Sequence, residues 1–432
     1  MQTASKKVIN GWAMYDWANS VYNLVITTTF FPVYYTEMTK AAPFNGEVHF
    51  LGRTFVNTAL YNYALAAAYL CVAFTLPILS SIADYRGSKK RFMQVFCFIG
   101  ALACSMLYFF NPENFTTGIL CMMVAAYGFY GSLVFYNSYL PEIAAEEDRD
   151  RISARGFSFG YIGSVIMQIV GFMLVFFYDK IPFFKNEGDA VRTTFLLVGI
   201  WWFGFAQIPF RRLPKGTPAV SNGQRKNVFT GGFTELKKVW RQLMHLPVMK
   251  RFLIAFFFYN MGVQTVMLAA TNFGSKVLAL PSTKLIITVV IIQLVAIFGA
   301  WAISRLSMRF GNFPVLLGVV SFWILICIAG YNMQTEYHFY ALAVAVGIVM
   351  GGIQSLSRST YSKLMPVTKD TASFFSFYDI TEKIAIVIGL SSFGYIEEFT
   401  GDMRNSVLAL VVFFALGFIF LFFAQRKFRT PQ

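Results

Sequence analysis

The sequence predicts an all-α membrane protein with twelve transmembrane helices in two pseudo-symmetric six-helix bundles. The 432 residues are 56% hydrophobic and only 13% charged, which is more apolar surface than a soluble fold of this size buries. The apolar runs are about 20 residues long, the length of a helix that crosses a bilayer. A long basic interruption divides these runs six and six. The alternation of apolar and polar residues that marks a membrane barrel is absent.

The order of the apolar runs gives the topology. An even number of spans places both termini on one side of the membrane. Most of the 36 Lys and Arg residues lie in loops on that side, so the positive-inside rule predicts that both termini are cytoplasmic. We expect a multi-pass protein of a bacterial inner membrane. The predicted spans are residues 11–36, 58–82, 92–110, 117–139, 157–178, 191–210, 251–271, 285–304, 313–331, 338–357, 374–395 and 405–424.

The basic interruption also predicts the domains. Residues 1–210 form the N-terminal bundle, residues 211–250 a cytoplasmic linker, and residues 251–432 the C-terminal bundle. A short internal repeat supports this division. The motif FSFGY at 157–161 begins the fifth span and FSFYD at 375–379 begins the eleventh, so corresponding positions in the two halves carry similar residues.

One segment of the linker has the pattern of an amphipathic helix. Phe233–Leu246 alternates apolar and basic residues at helical spacing. We expect this helix to lie on the anionic inner leaflet, with Lys237, Lys238 and Arg241 towards the headgroups.

The first span carries a polar stripe. Asp16, Asn19, Ser20, Asn23 and Thr27 fall at i, i+3, i+4, i+7 and i+11, which places them on one side of a helix. A carboxylate facing lipid is costly, so the stripe is predicted to face protein or a water-filled cavity. Asp16 is a candidate proton site or partner for a cation; the alternative is a structural carboxylate bonded to Asn19 or a facing helix.

Further charged residues lie within or next to the later spans. Asp379 and Lys383, at i and i+4, predict an ion pair within one helix; the alternative is a gate or proton relay that involves Asp16. Glu382 projects about 100° away from Lys383 around a helix and is a candidate titrating acid. Glu142 and Arg358 occupy corresponding places in the two halves and are predicted to meet when the cytoplasmic side closes. The alternative for Arg358 is to extend towards headgroups.

The uncharged polar residues of the spans predict a cavity for a neutral or zwitterionic solute. Amide and hydroxyl groups dominate this set, and a polyanion would find few cations there. The alternative for about half of them is hydrogen bonding between helices. The candidates are Asn19, Asn23, Tyr136, Asn137, Asn260, Gln264 and Gln354.

Several function classes are excluded at this stage. The five cysteines lie in apolar runs without metal-ligand or disulfide spacing. Phosphate-binding, dinucleotide-binding and nucleophile motifs are absent. The net charge of +15 arises in short loops, which does not favour nucleic-acid binding. We therefore expect a monomer without cofactor, metal site or enzymatic activity, in contact with a small-molecule substrate, protons and the bilayer.

Two motifs resemble a known superfamily. The loop SSIADYRGSKKR at 80–91 resembles the signature after the second span of the major facilitator superfamily, with Ser80 in place of the usual Gly. The matching loop at 305–311 keeps Arg and Gly but has no Asp. This resemblance implies two six-helix bundles that work by alternating access. It also implies that Asp84, with Arg86, Gly87 and Arg91, stabilises the outward-open state, and that Asp84 lies near the N-terminal dipole of the eleventh span.

A second set of motifs resembles one branch of that superfamily. They are WAMYDWANS at 12–20, FYNSYLPEIA at 135–144, GGIQSLSRS at 351–359 and FYD at 377–379. The branch includes the autophagy-linked vacuolar amino-acid effluxers. The resemblance covers nearly the whole chain and implies a secondary active transporter of a small polar solute, proton-coupled, with amino-acid efflux as one form. The alternatives are a sugar, peptide or drug carrier, or a non-transporting scaffold or receptor on a carrier fold.

Overall fold

The computed structural model describes residues 2–216 and 228–429. The part of the predicted linker at 217–227 lies outside the described residues. In the first half the helices are α1 (Lys6–Val21), a π-helical segment (Tyr22–Phe30), α2 (Phe31–Lys40), α3 (Asn57–Arg86), α4 (Lys89–Met106), α5 (Phe115–Ser138), α6 (Leu140–Ile143), α7 (Arg149–Phe176) and α8 (Glu187–Arg212), with 3-10 turns at Leu107–Phe109, Glu146–Asp148 and Tyr178–Lys180.

A hairpin of two antiparallel strands, β1 (Glu47–Phe50) and β2 (Arg53–Val56), lies between α2 and α3 in the first half and pairs Phe50 with Arg53.

The second half repeats the pattern of helices without the break in its first helix. The remaining helices are α9 (Val228–His245), α10 (Pro247–Leu278), α11 (Ser282–Phe310), α12 (Asn312–Tyr331), α13 (Glu336–Leu364), α14 (Thr371–Thr400) and α15 (Met403–Arg429).

These helices confirm the predicted all-α architecture of twelve spans. Span one is formed by α1, the π-helical segment and α2 together; α3, α4, α5, α7 and α8 follow, and α10 to α15 form the second set. Within the described residues, ten helices are long and apolar enough to cross a membrane by themselves. The other two spans are the first, which is divided, and α14, which carries Asp379, Glu382 and Lys383.

The first span differs from the continuous helix that its sequence predicts. The carbonyl of Leu24 accepts hydrogen bonds from Thr28 (2.8 Å) and Thr29 (2.9 Å) and from the side-chain amide of Gln168 on α7 (3.0 Å). Side chains that bond a helix carbonyl compete with its i+4 amide and widen the turn. The π-helical segment is therefore produced by hydroxyls of the span together with a neighbouring helix.

Each half has its own set of packed helices, in addition to the contacts between the halves. In the first half α1 packs on α7 and α8, and α4 packs on α5 and α8; in the second, α10 and α12 pack on α15 and α11 packs on α13. The halves meet along two equivalent junctions. One joins the second and eleventh spans (α3 and α14), and the other joins the fifth and eighth (α7 and α11).

The amphipathic helix of the linker packs on protein. Val239 and Leu243 of α9 are buried, and the hydroxyl of Ser81 on α3 donates to the Gly232 carbonyl (2.6 Å). α9 thus covers the junction of α3 and α14.

Lys237, Lys238 and Arg241 are all exposed on α9, and their orientation towards headgroups stays a prediction. The Lys238 ammonium bonds Glu235 and Asp370, each at 2.9 Å, because it lies beside the start of α14. Burial favours the neutral amine, but the two carboxylates outweigh it and raise the pKa of Lys238 above its ordinary value.

Glycines set the close approach of α11 and α13. A methyl group at Gly351 would collide with the backbone carbonyl of Ala296 on α11, and neither backbone can move aside alone. We expect Gly351→Ala to lower the free energy of unfolding by about 1–3 kcal/mol, measured as a lower melting temperature of purified protein. Gly318→Ala on α12 is the control, because a methyl there meets no atom within 4 Å; equal melting temperatures for the two variants would contradict this packing.

Candidate functional site

A polar cavity lies between the two halves near the middle of the helices. Its volume is about 130 Å³, and it is lined by side chains of α1, α5, α7, α10, α13 and α14 together with two residues of the π-helical segment. Six of the seven predicted cavity residues line it. Tyr136 is the exception: it is buried behind the wall and bonds Asp16. The predicted lining residues found there are Asn19, Asn23, Asn137, Asn260, Gln264 and Gln354.

One wall is formed around a buried ion pair that joins the halves. Asp16 on α1 is 4% exposed and Arg358 on α13 is 3% exposed. The Asp16 Oδ2 atom accepts from the Tyr136 hydroxyl (2.7 Å) and lies 3.3 Å from the nearer guanidinium nitrogen of Arg358. A methyl group at Gly156 would lie 2.5 Å from the same oxygen, so glycine is required for α7 to approach this pair.

Arg358 is held from every side. Its Nε donates to the Ser153 hydroxyl (3.0 Å), one terminal nitrogen donates to the Ser153 carbonyl (2.8 Å), and the other donates to Asn137 (3.1 Å). Its guanidinium carbon lies 4.2 Å from the centre of the Phe157 ring and 4.8 Å from that of Trp12. Side chains and backbone of the first half therefore fix the orientation of this cation of the second half, and it does not extend to headgroups.

The predicted meeting of Glu142 with Arg358 is wrong. Glu142 instead bonds Lys89 and the Thr371 hydroxyl (2.7 Å). The reason is depth: Glu142 lies in α6, beyond the end of α5, whereas the Arg358 side chain reaches inward to Asp16. Equivalent positions in sequence therefore reach different levels of the interface.

The opposite wall carries a second charged group on α14. The Lys383 ammonium lies 3.3 Å from Asp379, the predicted i, i+4 pair, and 4.3 Å from the centre of the Tyr130 ring. Glu382 also bonds Lys383 (2.7 Å) and accepts from Gln264 (3.2 Å). The prediction that Glu382 stands apart from Lys383 is therefore wrong, because both flexible side chains turn towards the cavity.

The amides of the cavity fall into two groups. Asn23 accepts from the Tyr130 hydroxyl (3.1 Å), and Gln354 accepts from the Tyr161 hydroxyl (2.7 Å); these bonds join neighbouring helices. Within the described parts of the chain, neither atom of the Asn19 amide has a hydrogen-bond partner and the Asn260 nitrogen has none, although both residues are buried. Unpaired buried amides cost stability, and both of these residues line the cavity.

The loop after α3 joins the halves at the side of the termini. Asp84 accepts from the Ser373 amide and hydroxyl (2.7 Å each) and from the Ala372 amide (3.3 Å). It thus lies at the N-terminus of α14, as predicted. Gly87 ends α3 at a φ of +66°, a conformation that favours glycine. Arg86 and Arg91 are exposed.

Two residues that sequence reasoning missed complete these contacts. Lys89, 2% exposed, bonds Glu142 and the Thr371 hydroxyl (2.7 Å). Asp150, at the start of α7, accepts from Ser307 (2.9 Å), Asn312 (2.8 Å) and Lys363 (2.7 Å) of the second half. The signal for Asp150 was available: the loop after the eighth span lacks an acid, and α7 supplies one from the other half.

The polar contacts between halves are unevenly distributed. Among the described residues, those contacts lie between the middle of the helices and the side that carries the termini. The bond from Tyr161 to Gln354 is among the deepest of them. The structure is therefore closed on the side of the termini.

Solved structures share this architecture. The fucose:proton symporter FucP of E. coli, solved in an outward conformation, has a TM-score of 0.70 at 16% identity, over 99% of this chain and 98% of that one. The human organic anion transporter MFSD10 has a TM-score of 0.74 at 11% identity, over 96% and 99%. The chain therefore has the major facilitator fold, and the ten described helices of membrane-crossing length and hydropathy are those of an integral, multi-pass membrane protein.

The family is given by sequence comparison. The family described as vacuole effluxer Atg22 like matches residues 4–429. An uncharacterized MFS-type transporter of Bacillus subtilis, YxiO, is 31% identical over 98% of this chain and 95% of its own length. The autophagy-related protein 22-1 of Phaeosphaeria nodorum is 23% identical over 95% and 89%. The chain belongs to the Atg22-like family of major facilitator transporters.

The buried ion pair predicts a specific pattern of stability. Arg358→Met leaves the Asp16 carboxylate buried without its cation, and we expect a loss of about 3–5 kcal/mol in the free energy of unfolding. Asp16→Asn/Arg358→Met removes both charges and is expected to recover a large part of that loss. Melting temperatures of the purified variants, with Asp16→Asn as the third corner of the cycle, measure the coupling. A double variant no more stable than Arg358→Met would contradict it.

Proposed function

We propose that the chain is a secondary active transporter that moves a zwitterionic solute, an amino acid in the first instance, through the central cavity by alternating access with proton coupling. The observation that supports this most directly is the cavity itself. It lies between the halves, carries acids and bases together, and contains the unpaired amides of Asn19 and Asn260. We propose transport and no enzymatic activity.

The charge of the lining favours a zwitterion. Two acids, Asp16 and Glu382, and two bases, Arg358 and Lys383, line the cavity. A solute with one ammonium and one carboxylate finds an opposite charge for each without altering the net charge of the site. A polyanion would be repelled by the two carboxylates. The family description of vacuolar effluxers is consistent with export as the direction.

The position of Asp16 supports the proposed proton coupling. In the closed arrangement its carboxylate holds Arg358 of the other half. Protonation of Asp16 would remove this attraction while the Tyr136 hydroxyl bond remains possible. We therefore propose that proton binding loosens the contact between halves on the side of the termini and so links the proton gradient to the exchange of conformations.

The remaining assignments belong to the same proposal. The moving units are residues 1–210 and 251–432, connected by 211–250. The termini are cytoplasmic, the membrane is a bacterial inner membrane, and the working form is a monomer. The contacts of Asp84 and Lys89 with α14 hold the closed cytoplasmic side.

A sugar carrier is a second candidate, favoured by one observation. Aromatic rings line much of the cavity, and sugars bind on the faces of such rings. The charged residues distinguish the two candidates, because a neutral sugar has no group that requires two acids and two bases. The aromatic lining residues are Phe129, Tyr130, Phe157, Tyr161, Phe256, Tyr259 and Tyr378.

Asp16→Asn tests the coupling. We expect the variant to remain folded and inserted, because its amide can still bond Tyr136 and Arg358 keeps its neutral acceptors on Ser153 and Asn137, but to lose proton-driven uptake in reconstituted vesicles. Glu397→Gln is the matched control: its carboxylate pairs with Lys276 away from the cavity (2.7 Å) and its uptake should be unchanged. Normal coupling in Asp16→Asn would refute the role of Asp16.

A panel of ligands tests the solute class. Free amino acids at about 100 times their dissociation constant should stabilise the protein by about 2.7 kcal/mol, read as a higher melting temperature. Their methyl esters and N-acetyl derivatives, which lack one charge, should stabilise it far less. In Asn19→Leu the shift should be lost, and Asn186→Leu, far from the cavity, should keep it. Stabilisation by neutral sugars alone would favour the second candidate.

A further inference from the structure

A large groove lies on the outer face of the molecule, where α7 of the first half packs against α11 of the second. Its volume is about 1010 Å³. Apolar side chains form much of its surface, with Phe298 72% and Trp301 55% exposed. Arg151, Arg155 and Arg305 lie at its end towards the side of the termini. The groove thus combines a long apolar surface with cations at one end.

The charges of the groove are unbalanced. Arg151 bonds Asp148 at 2.7 Å, and Asp148 is the acidic residue among the described residues that line the groove. The Arg155 guanidinium lies over the Phe159 ring (5.6 Å), and that of Arg305 lies over the Trp301 ring (4.4 Å). Aromatic faces orient these two cations without neutralising them. Two oriented guanidinium groups, one from each half, therefore remain at the mouth.

The pseudo-symmetry of the fold shows what is missing from this junction. The equivalent junction, between α3 and α14, is covered by α9, which bonds Ser81 through Gly232 and Asp370 through Lys238. In the described parts of the chain, no helix takes the corresponding position over α7 and α11. One junction is thus covered by α9, and the other leaves an apolar and cationic groove open.

We propose that this groove binds an anionic phospholipid. Its phosphate would accept hydrogen bonds from Arg155 and Arg305, because the planar guanidinium fork matches the oxygens of a phosphate. One acyl chain would lie along Phe298 and Trp301. The arginines lie on the side where cytoplasmic headgroups are expected, and anionic lipids of that leaflet attract such clusters.

Occupancy of the groove has a conformational consequence. Arg155 belongs to the first half and Arg305 to the second, so one phosphate bridges the halves close to Asp150, Ser307 and Asn312. The bridge forms when the halves meet on this side. The lipid therefore stabilises the closed arrangement in the way a ligand stabilises the state it binds. This inference depends on the geometry of the junction and not on the solute.

The test compares lipid binding by the full chain and by matched variants. Purified protein is reconstituted in nanodiscs of phosphatidylcholine with or without phosphatidylglycerol, and co-purified phosphatidylglycerol is quantified by native mass spectrometry. We expect phosphatidylglycerol to raise the melting temperature of the wild type. In Arg155→Gln/Arg305→Gln we expect retention to fall on the order of tenfold and the thermal shift to disappear. The melting temperature in phosphatidylcholine alone should not change.

Arg309→Gln is the matched control, because Arg309 is exposed on the same helix end, lies over Phe310 (5.3 Å) and does not line the groove. It should keep both the retention and the shift. The single variants Arg155→Gln and Arg305→Gln give the same comparison if the double variant does not fold. Equal retention of both lipids by all variants would indicate non-specific annular lipid and overturn the proposal. A stable dimer formed through this face would overturn it as well.

Discussion

The contact between Asp16 and Arg358 is the constraint on which the rest of the site depends. A charge buried at this depth is tolerated when an opposite charge and hydrogen bonds surround it. Here the carboxylate comes from α1 and the guanidinium from α13, while Ser153 and Asn137 satisfy the remaining donors. The pair therefore requires both halves to be close together. The pair also fixes one polar wall of the cavity, since Tyr136 and Gly156 both lie against the same oxygen of Asp16.

Two acidic residues extend this closure to the side of the termini by related geometry. Asp84 at the end of α3 receives the amides that begin α14, and Asp150 at the start of α7 receives donors from the ends of α11 and α13. In one junction the acid comes from the helix end, and in the other from the helix start. Each bonds the opposite half. The pseudo-symmetry therefore preserves the interaction without preserving the position of the acid in the repeat.

The break in the first span connects this frame to the cavity. The Leu24 carbonyl is shared by two threonine hydroxyls and by Gln168, and Leu24 itself lines the cavity. A π-helical turn changes the phase of the side chains that follow it. Asn19 lies before this segment and Asn23 near its start, so both remain on the same side as Asp16 and line the cavity with it. The widened turn at Leu24 thus forms part of the cavity wall beside Asn23.

The sequence alone determined those features that depend on residues close together in the chain. Hydropathy gave twelve spans, the stripe from Asp16 to Asn23 gave one cavity wall, and i, i+4 spacing gave the Asp379 and Lys383 pair, because each depends on residues within one or two helical turns. The resemblance to a loop signature placed Asp84 at the start of α14. Tertiary structure decided the partners: Arg358 lies 342 positions from Asp16, and the bond from Gln168 to Leu24 spans 144 positions. Such pairs depend on how helices of different halves come into register, and side-chain reach then decided that Glu382 turns to Lys383 and Glu142 to Lys89.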